Sequence, residues 1–407
     1  MKPEHLQSLT ILGRQPALGL AELESLYGAD TAQPLAPQAA GLTLHAHDVD
    51  FKRLGGSTRL AHILAHFPTT DWKRLERELP TLAVELALTL PDGKIQLGLS
   101  AFGLKISPAK LNAAGLNLKK ALRARASRSV RVTPNPELEL NTAQVLHNHL
   151  TGPTGIELLL IAASDGSTVI ARTTHVQDIG SYTLRDRGRP KRDARVGMLP
   201  PKLAQVLINL ASGQIESQES RVKRQEKIML DPFCGTGVTL QEAMLMGYSV
   251  YGTDLEPRMI DYSQANLAWL RETLDTATTA GRLEAGDATT YQWDNIFDFV
   301  AGETYLGRPF TEKPSAEVLA QTASEVNLIL KKFLANIHGQ LAPGTRLCLA
   351  VPAWQIRKNE FKHLPLVDQI SDLGYNRVSF EHVRDEQLLY YREDQIVARQ
   401  ILVLTRK

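Results

Sequence analysis

The run IMLDPFCGTGVTLQEAMLMGYSVYGTD, residues 228–254, decides the fold. Ile228, Met229 and Leu230 lead into an acid, Asp231; Gly235 and Gly237 follow, and a helical pattern begins at once. An apolar strand that ends in a glycine-rich turn and a helix opens an α/β sheet of the kind that binds ligands at its strand ends. The usual guest of such a turn is a phosphate, held on backbone N–H groups at the helix N-terminus.

Two features argue against phosphate. The dinucleotide spacing G-x-G-x-x-G is absent, since Val238, Thr239 and Leu240 follow Gly237, and no P-loop lysine is present. Asp231 also opens the loop, where a carboxylate repels pyrophosphate but can hold a cationic amino group directly or through water. S-adenosyl-L-methionine fits, because it carries an ammonium and a sulfonium and no phosphate. Asp254, at the end of the next strand, stands where nucleotide-binding sheets place an acid on ribose hydroxyls. Asp287, in GDA after the third strand, is placed to accept from an adenine amino group. Phe233, Thr236, Leu255 and Ala288 line the same turns and complete the candidate cofactor set, with Gly235 and Gly237. Taken singly, each acid could be a helix cap; three at successive strand ends point to a ligand.

Outward from this stretch, strands alternate with helices to the C-terminus, which implies a parallel, doubly wound sheet. NRVSFEHV and ARQILVLTR are strands with no helix between them, so the last is expected to be antiparallel. The 407 residues allow two or three domains, and 43% apolar with 22% charged residues is the composition of a globular protein. The expected division is a small α/β domain over 1–70, a second over 71–177, a linker over 178–200 and the cofactor domain over 201–407. Within the first, LTILG reads as a strand, LGLAELESLYG as a helix and TRLAHILAHF as another helix.

The first twenty residues lack the apolar core of a secretory signal, and no stretch approaches the roughly 20 apolar residues that span a bilayer. A cytoplasmic location without membrane attachment is the expectation. The only cysteines, Cys234 and Cys348, are too few for a disulfide framework or a zinc site, and no metal is expected.

The formal net charge is only +2, but charge is segregated. Between Gly93 and Pro136 there is no acid, while Lys105, Lys119, Lys120, Arg123 and Arg128 all fall inside. The helix between Pro108 and Arg128, which sets Lys119, Lys120, Arg123 and Arg128 within reach of one face, is a candidate phosphate-facing surface, with a solvated lysine-rich helix as the plainer account. A second cluster, Arg185, Arg187, Arg189, Lys191 and Arg192, is interleaved with Asp186 and Asp193, so RNA contact competes there with local ion pairs. Pro200, Pro201 and Lys202 either start a helix or close over the methionine end of the cofactor.

DPFCGTG with GTD is similar to class I S-adenosylmethionine-dependent methyltransferases. GRPKRD, MLPPKLAQ, GIELLLI and YYREDQIVARQILVL extend that likeness: the chain resembles the THUMP-domain tRNA guanine-N2 methyltransferases over nearly its whole length. The fold this resemblance implies is a Rossmann-like, doubly wound class I domain with an antiparallel last strand, preceded by a ferredoxin-like α/β domain and a THUMP-like domain. It further implies tRNA as substrate, recognised by shape and backbone near the acceptor end, and it leaves room for a small activating subunit.

The resemblance also locates the chemistry. An exocyclic amine conjugated with its ring is a poor nucleophile, and in such enzymes an Asp or Asn at the end of the fourth strand accepts its N–H, followed by two prolines and an aromatic that stacks on the base. This chain has GETYLG instead. Counting back from Gly307 aligns Glu303 with the acid, Thr304 and Tyr305 with the prolines and Leu306 with the aromatic, so Glu303 and Tyr305 are the candidate catalytic residues. Adenine-N6 methylation of DNA or RNA stays open, as does a tRNA-binding protein that keeps the fold without catalysis.

Overall fold

The computed structural model describes residues 5–193, 199–214, 227–274, 281–294, 297–310, 312–393 and 395–407. The chain forms two compact units: Met1–Pro16, Ala29–Lys52 and Ser57–Ile179 make the first, and Ala17–Gly28, Arg53–Gly56 and Gly180–Lys407 the second.

The first unit is built on one sheet of eight strands: β1 (Ser8–Leu12), β2 (Ala32–Ala36), β3 (Ala39–Leu42), β4 (Ser57–Phe67), β5 (Ile95–Phe102), β6 (Val130–Val132), β7 (Gly155–Ala162) and β8 (Thr168–Val176). Their order is β2-β3-β1-β4-β8-β7-β5-β6. Alternation along β7 explains why both faces are buried. Leu158 and Leu160 join a core under the helices Trp72–Leu88 and Pro108–Arg125, while Leu159 and Ile161 join a second cluster with Leu9, Ile11 and Val169.

One expectation is corrected by β4. TRLAHILAHF is a strand, not a helix: β4 pairs antiparallel with β1 on one edge and β8 on the other. Register shifts at Leu60/Ala61 and Ile63/Ala65 break its alternation, so its apolar residues mimic a helical period. β4 pairs with β1 on one side and β8 on the other, so one sheet takes strands from both 1–70 and 71–177.

The second unit holds a nine-stranded sheet: β9 (Ile228–Asp231), β10 (Ser249–Asp254), β11 (Arg282–Ala285), β12 (Phe299–Glu303), β13 (Arg346–Arg357), β14 (Glu360–Lys362), β15 (Tyr375–Arg377), β16 (Leu389–Tyr390) and β17 (Val397–Arg406). The main path runs β11-β10-β9-β12-β13-β17-β15. β9 to β13 are mutually parallel, and β17 is antiparallel to β13, as the sequence suggests. Strand order reverses between β9 and β12, which makes their C-terminal ends the switch point at which such sheets bind ligands. The helix Ala316–His338 buries Leu319, Val326, Leu330 and Phe333 in one cluster with residues of this sheet.

The expected linker is largely part of the second unit. Arg185, in the wide helical turn Leu184–Gly188, donates from Nε to Glu242 at 2.6 Å, both side chains being buried. Asn266 clasps Lys191 through both backbone groups, at 2.9 Å each. The expected α-helix near Leu364–Leu373 is a 3-10 turn over Pro365–Gln369. Among the described residues, no helix is long and apolar enough to cross a membrane.

Candidate active site

The glycine loop after β9 takes its shape from backbone strain that only glycine relieves. Gly235 and Gly237 have φ of +52° and +80°, the left-handed region that L side chains rarely adopt. At Gly237 space is lacking too, because a Cβ would lie 2.8 Å from Ser263 Oγ. Ser263 instead donates to the carbonyl of Gly235 at 2.8 Å, and Asn266 donates to that of Thr236 at 2.8 Å. Both come from the helix Pro257–Leu274, which therefore holds the loop from behind.

Three acids stand at strand ends or in the turn that follows: Asp231, Asp254 and Asp287. Asp231 is 1% exposed, and Phe233 N–H donates to its Oδ1 at 3.1 Å. Burial, reinforced by the carboxylates of Asp254 and Glu303, raises its pKa to about 7 against hydrogen bonds from Phe233 and Thr239 that lower it. Asp254 accepts from Gly235 N–H at 2.9 Å on one oxygen and from Glu256 N–H at 3.0 Å on the other. Its pKa is also raised, chiefly by burial. Each of its oxygens keeps a lone pair for a diol. Asp287 is exposed and caps its own turn, accepting from Thr289 N–H at 2.9 Å.

The apolar residues divide by task. Leu255, beside Asp254, is 66% exposed. Ala288 is buried at the turn after β11, and Phe233 sets its ring edge-on against Phe333, with centroids 4.9 Å apart. Thr236 is buried.

Glu303 ends β12 and is paired with Arg399 of β17, Nε to Oε1, at 2.5 Å. Sequence reasoning gave no role to Arg399, which lies 96 residues away, within the run YYREDQIVARQILVL. Thr304, in the place of an expected proline, ties its N–H to Ala350 O at 3.0 Å and its hydroxyl to the same oxygen at 3.2 Å. A hydrogen-bonded anchor thus stands where ring rigidity was expected. Tyr305, two residues past the end of β12, is 46% exposed, and Gly307, at φ +88°, turns the chain sharply after it.

The basic candidates separate into surface and structure. Lys105, Lys120 and Arg123 are exposed and Lys119 is half-buried. Arg128 is committed instead to backbone carbonyls, donating to Gly93 at 3.1 Å, Ala87 at 3.2 Å and Pro91 at 2.5 Å. Arg187, Lys191 and Arg192 are exposed, and the Lys191 amine sits 5.5 Å from the Tyr262 ring centroid. Arg189 is 3% exposed, so it is not presented to a phosphate. Pro201 begins the helix Pro201–Ser212, and Lys202 lies over the Tyr182 ring at 5.1 Å.

A parallel sheet with an antiparallel penultimate-edge strand, a glycine loop after its first strand and acids at successive strand ends is the fold of class I methyltransferases. Two solved structures share the fold along nearly the whole chain. TrmN from Thermus thermophilus superposes with a TM-score of 0.51 at 15% identity, covering 98% of this chain and 100% of that one. A possible methylase from Clostridium difficile 630 gives 0.52 at 11% identity, covering 99% and 98%. A family model described as DNA methylase matches residues 185–265. The tRNA (guanine(10)-N2)-dimethyltransferase of Methanothermobacter thermautotrophicus is 32% identical over 157 residues, 38% of this chain and 39% of that protein. The protein of the same name from Methanocaldococcus jannaschii is 32% identical over 172 residues, 42% and 46% of the two chains. The chain thus matches less than half the length of these curated relatives.

Proposed function

We propose that this protein transfers a methyl group from S-adenosyl-L-methionine to the N2 amine of a guanosine in tRNA. The observation that carries the reading is the placement of Glu303: it ends β12 at the switch point, within electrostatic reach of Asp231 and beyond the glycine loop. The likeness to the two archaeal dimethyltransferases supports the choice of guanine.

In this reading the ammonium of the cofactor lies toward Asp231, its ribose on Asp254 and its adenine between Leu255, Ala288 and Asp287. Glu303 accepts a hydrogen bond from the N2 amine, which raises its nucleophilicity, and Tyr305 covers the base. The N2–C bond forms as the S–C bond breaks; the sulfonium becomes a thioether, and one N2 proton leaves through Glu303 to solvent. Proximity supplies most of the acceleration, since the donor is already activated. The first unit serves as the RNA-binding part, THUMP-like over 71–177, with Lys105, Lys119, Lys120 and Arg123 toward phosphates and Arg187, Lys191 and Arg192 as a second contact. A cytoplasmic location and a small activating subunit belong to the same reading and rest on the resemblance.

Incubation with labelled cofactor and bulk tRNA, followed by nucleoside analysis, tests it. Label in methylguanosine supports the proposal. The family model's description keeps a second reading, methylation of an adenine amine, which label in methyladenosine would establish. Glu303→Ala should abolish transfer and leave tRNA affinity nearly intact; retained turnover removes Glu303 from the mechanism.

A further inference from the structure

β17 brings to the candidate active site a second polar group. Glu303 stands opposite Ala350 on one edge of β13, and Arg399 opposite Pro352 on the other, so the arginine reaches across β13 to the acid. The side chains of Arg399 and Glu303 are 9% and 12% exposed, and the contact uses only Nε and Oε1. Among the described residues nothing else bonds to Glu303 Oε2 or to the two terminal nitrogens of Arg399. Neither terminal nitrogen is completely sealed from water, although the side chain as a whole is nearly buried.

A guanidinium needs partners for all its N–H groups when desolvated, and leaving them unpaired is costly. Arginine–carboxylate pairs are frequently bidentate, with two parallel N–H···O bonds, whereas this pair uses one contact. Here one oxygen and two nitrogens are left over: a hydrogen-bond acceptor adjoining a set of donors. That array complements an N–H next to a ring-nitrogen acceptor, the edge guanine displays at N2 and N3.

We infer that Arg399 is a base-recognition residue, donating from a terminal nitrogen to N3 of the target guanine while Glu303 Oε2 accepts from its N2 amine. The inference rests on the proposed guanosine-N2 activity. Arg399 thereby has two duties. Its Nε fixes the rotamer of Glu303, which no proline constrains, and its terminal nitrogens set the base in the plane of the carboxylate.

The test uses the full chain and tRNA carrying either guanosine or 3-deazaguanosine at the mapped methylation site. Wild-type protein should lose about ten- to a hundredfold in kcat/KM on the deaza substrate, the range of one hydrogen bond to a charged group. Arg399→Met should be slow on both substrates and no longer distinguish them, with Arg399→Lys intermediate. Calorimetry with S-adenosylhomocysteine, unchanged in the variants, shows that the fold and the cofactor site are intact. A deaza penalty that persists in Arg399→Met overturns the inference, as does a wild-type protein indifferent to the deaza substitution; the latter result requires no variant to fold. Failure of the underlying reading looks different, because unmodified tRNA then yields no methylguanosine with the wild-type protein.

Discussion

Gly302 lies against the carboxylate of Asp231: a Cβ added to the glycine would sit 2.4 Å from Oδ1 and 2.9 Å from Cγ. Asp231 ends β9 and Gly302 is next to last in the neighbouring β12, and Asp231 is aimed across the space that the missing side chain leaves. Gly302→Ala must therefore push the acid from its seat. Small-to-large changes in tight surroundings cost about 1–3 kcal/mol, and here the group that moves is the proposed ammonium holder. Affinity for S-adenosylhomocysteine, followed by calorimetry, should fall by on the order of tenfold or more, with a smaller effect on Tm. An unchanged affinity would mean that Asp231 does not touch the cofactor.

Gly237 carries two constraints that substitution can separate. Its φ of +80° disfavours any side chain, and a Cβ would meet Ser263 Oγ at 2.8 Å and Ser263 Cα at 3.3 Å. Gly237→Ala should lower stability and cofactor affinity through both backbone strain, roughly 1–2 kcal/mol, and the clash. Adding Ser263→Ala removes the hydroxyl and should restore only part of the deficit. Full restoration by the second change, which also removes the Ser263 hydrogen bond to the Gly235 carbonyl, would show the backbone strain to be negligible.

Much of this site is legible in the sequence because its parts are local. The strand, loop and helix around Asp231 are contiguous, and the acids Asp254, Asp287 and Glu303 are marked by the ends of apolar strands. The antiparallel β17 is legible for the same reason, since a missing crossover helix is a local feature. What escaped is long-range or masked by irregularity. Arg399 reaches Glu303 only because β13 lies between their strands. Arg128 and Arg189 look like free cations in a basic run, but tertiary contacts engage the first on carbonyls and bury the second. The bulged β4 conceals both its own type and the continuity of the first unit's sheet.

The raised pKa of Asp231 gives cofactor binding a pH dependence with a definite sign. Burial holds the carboxyl neutral up to a pKa of about 7. Below that value a proton competes with the cationic amine for the site; above it the carboxylate is free to pair. Affinity for S-adenosylhomocysteine should thus rise with pH, by on the order of tenfold between about pH 5.5 and 7.5, and then level off. Asp231→Asn should bind weakly with a flat profile in that window. Affinity that falls as pH rises would contradict a cation at this position.

The basic helix offers a separation of roles within one surface. Leu111, Ala114, Leu118 and Leu122 bury one face of Pro108–Arg125, which leaves Lys120 and Arg123 outward. Removing a side chain that neutralises one phosphate should reduce the salt slope of binding by about 0.7–0.9, depending on the helical character of the RNA. Lys120→Gln with Arg123→Gln should therefore weaken tRNA binding at low salt, flatten its dependence on salt and leave Tm nearly unchanged. Arg128→Ala should do the reverse. Its guanidinium is the donor to the carbonyls of Gly93, Ala87 and Pro91, which close the segment after the helix Trp72–Leu88. Breaking several such bonds, each worth about 0.5–1.5 kcal/mol, should lower Tm by several degrees with little change in salt slope. A flattened salt slope in Arg128→Ala at unaltered Tm would return that residue to the RNA-binding surface.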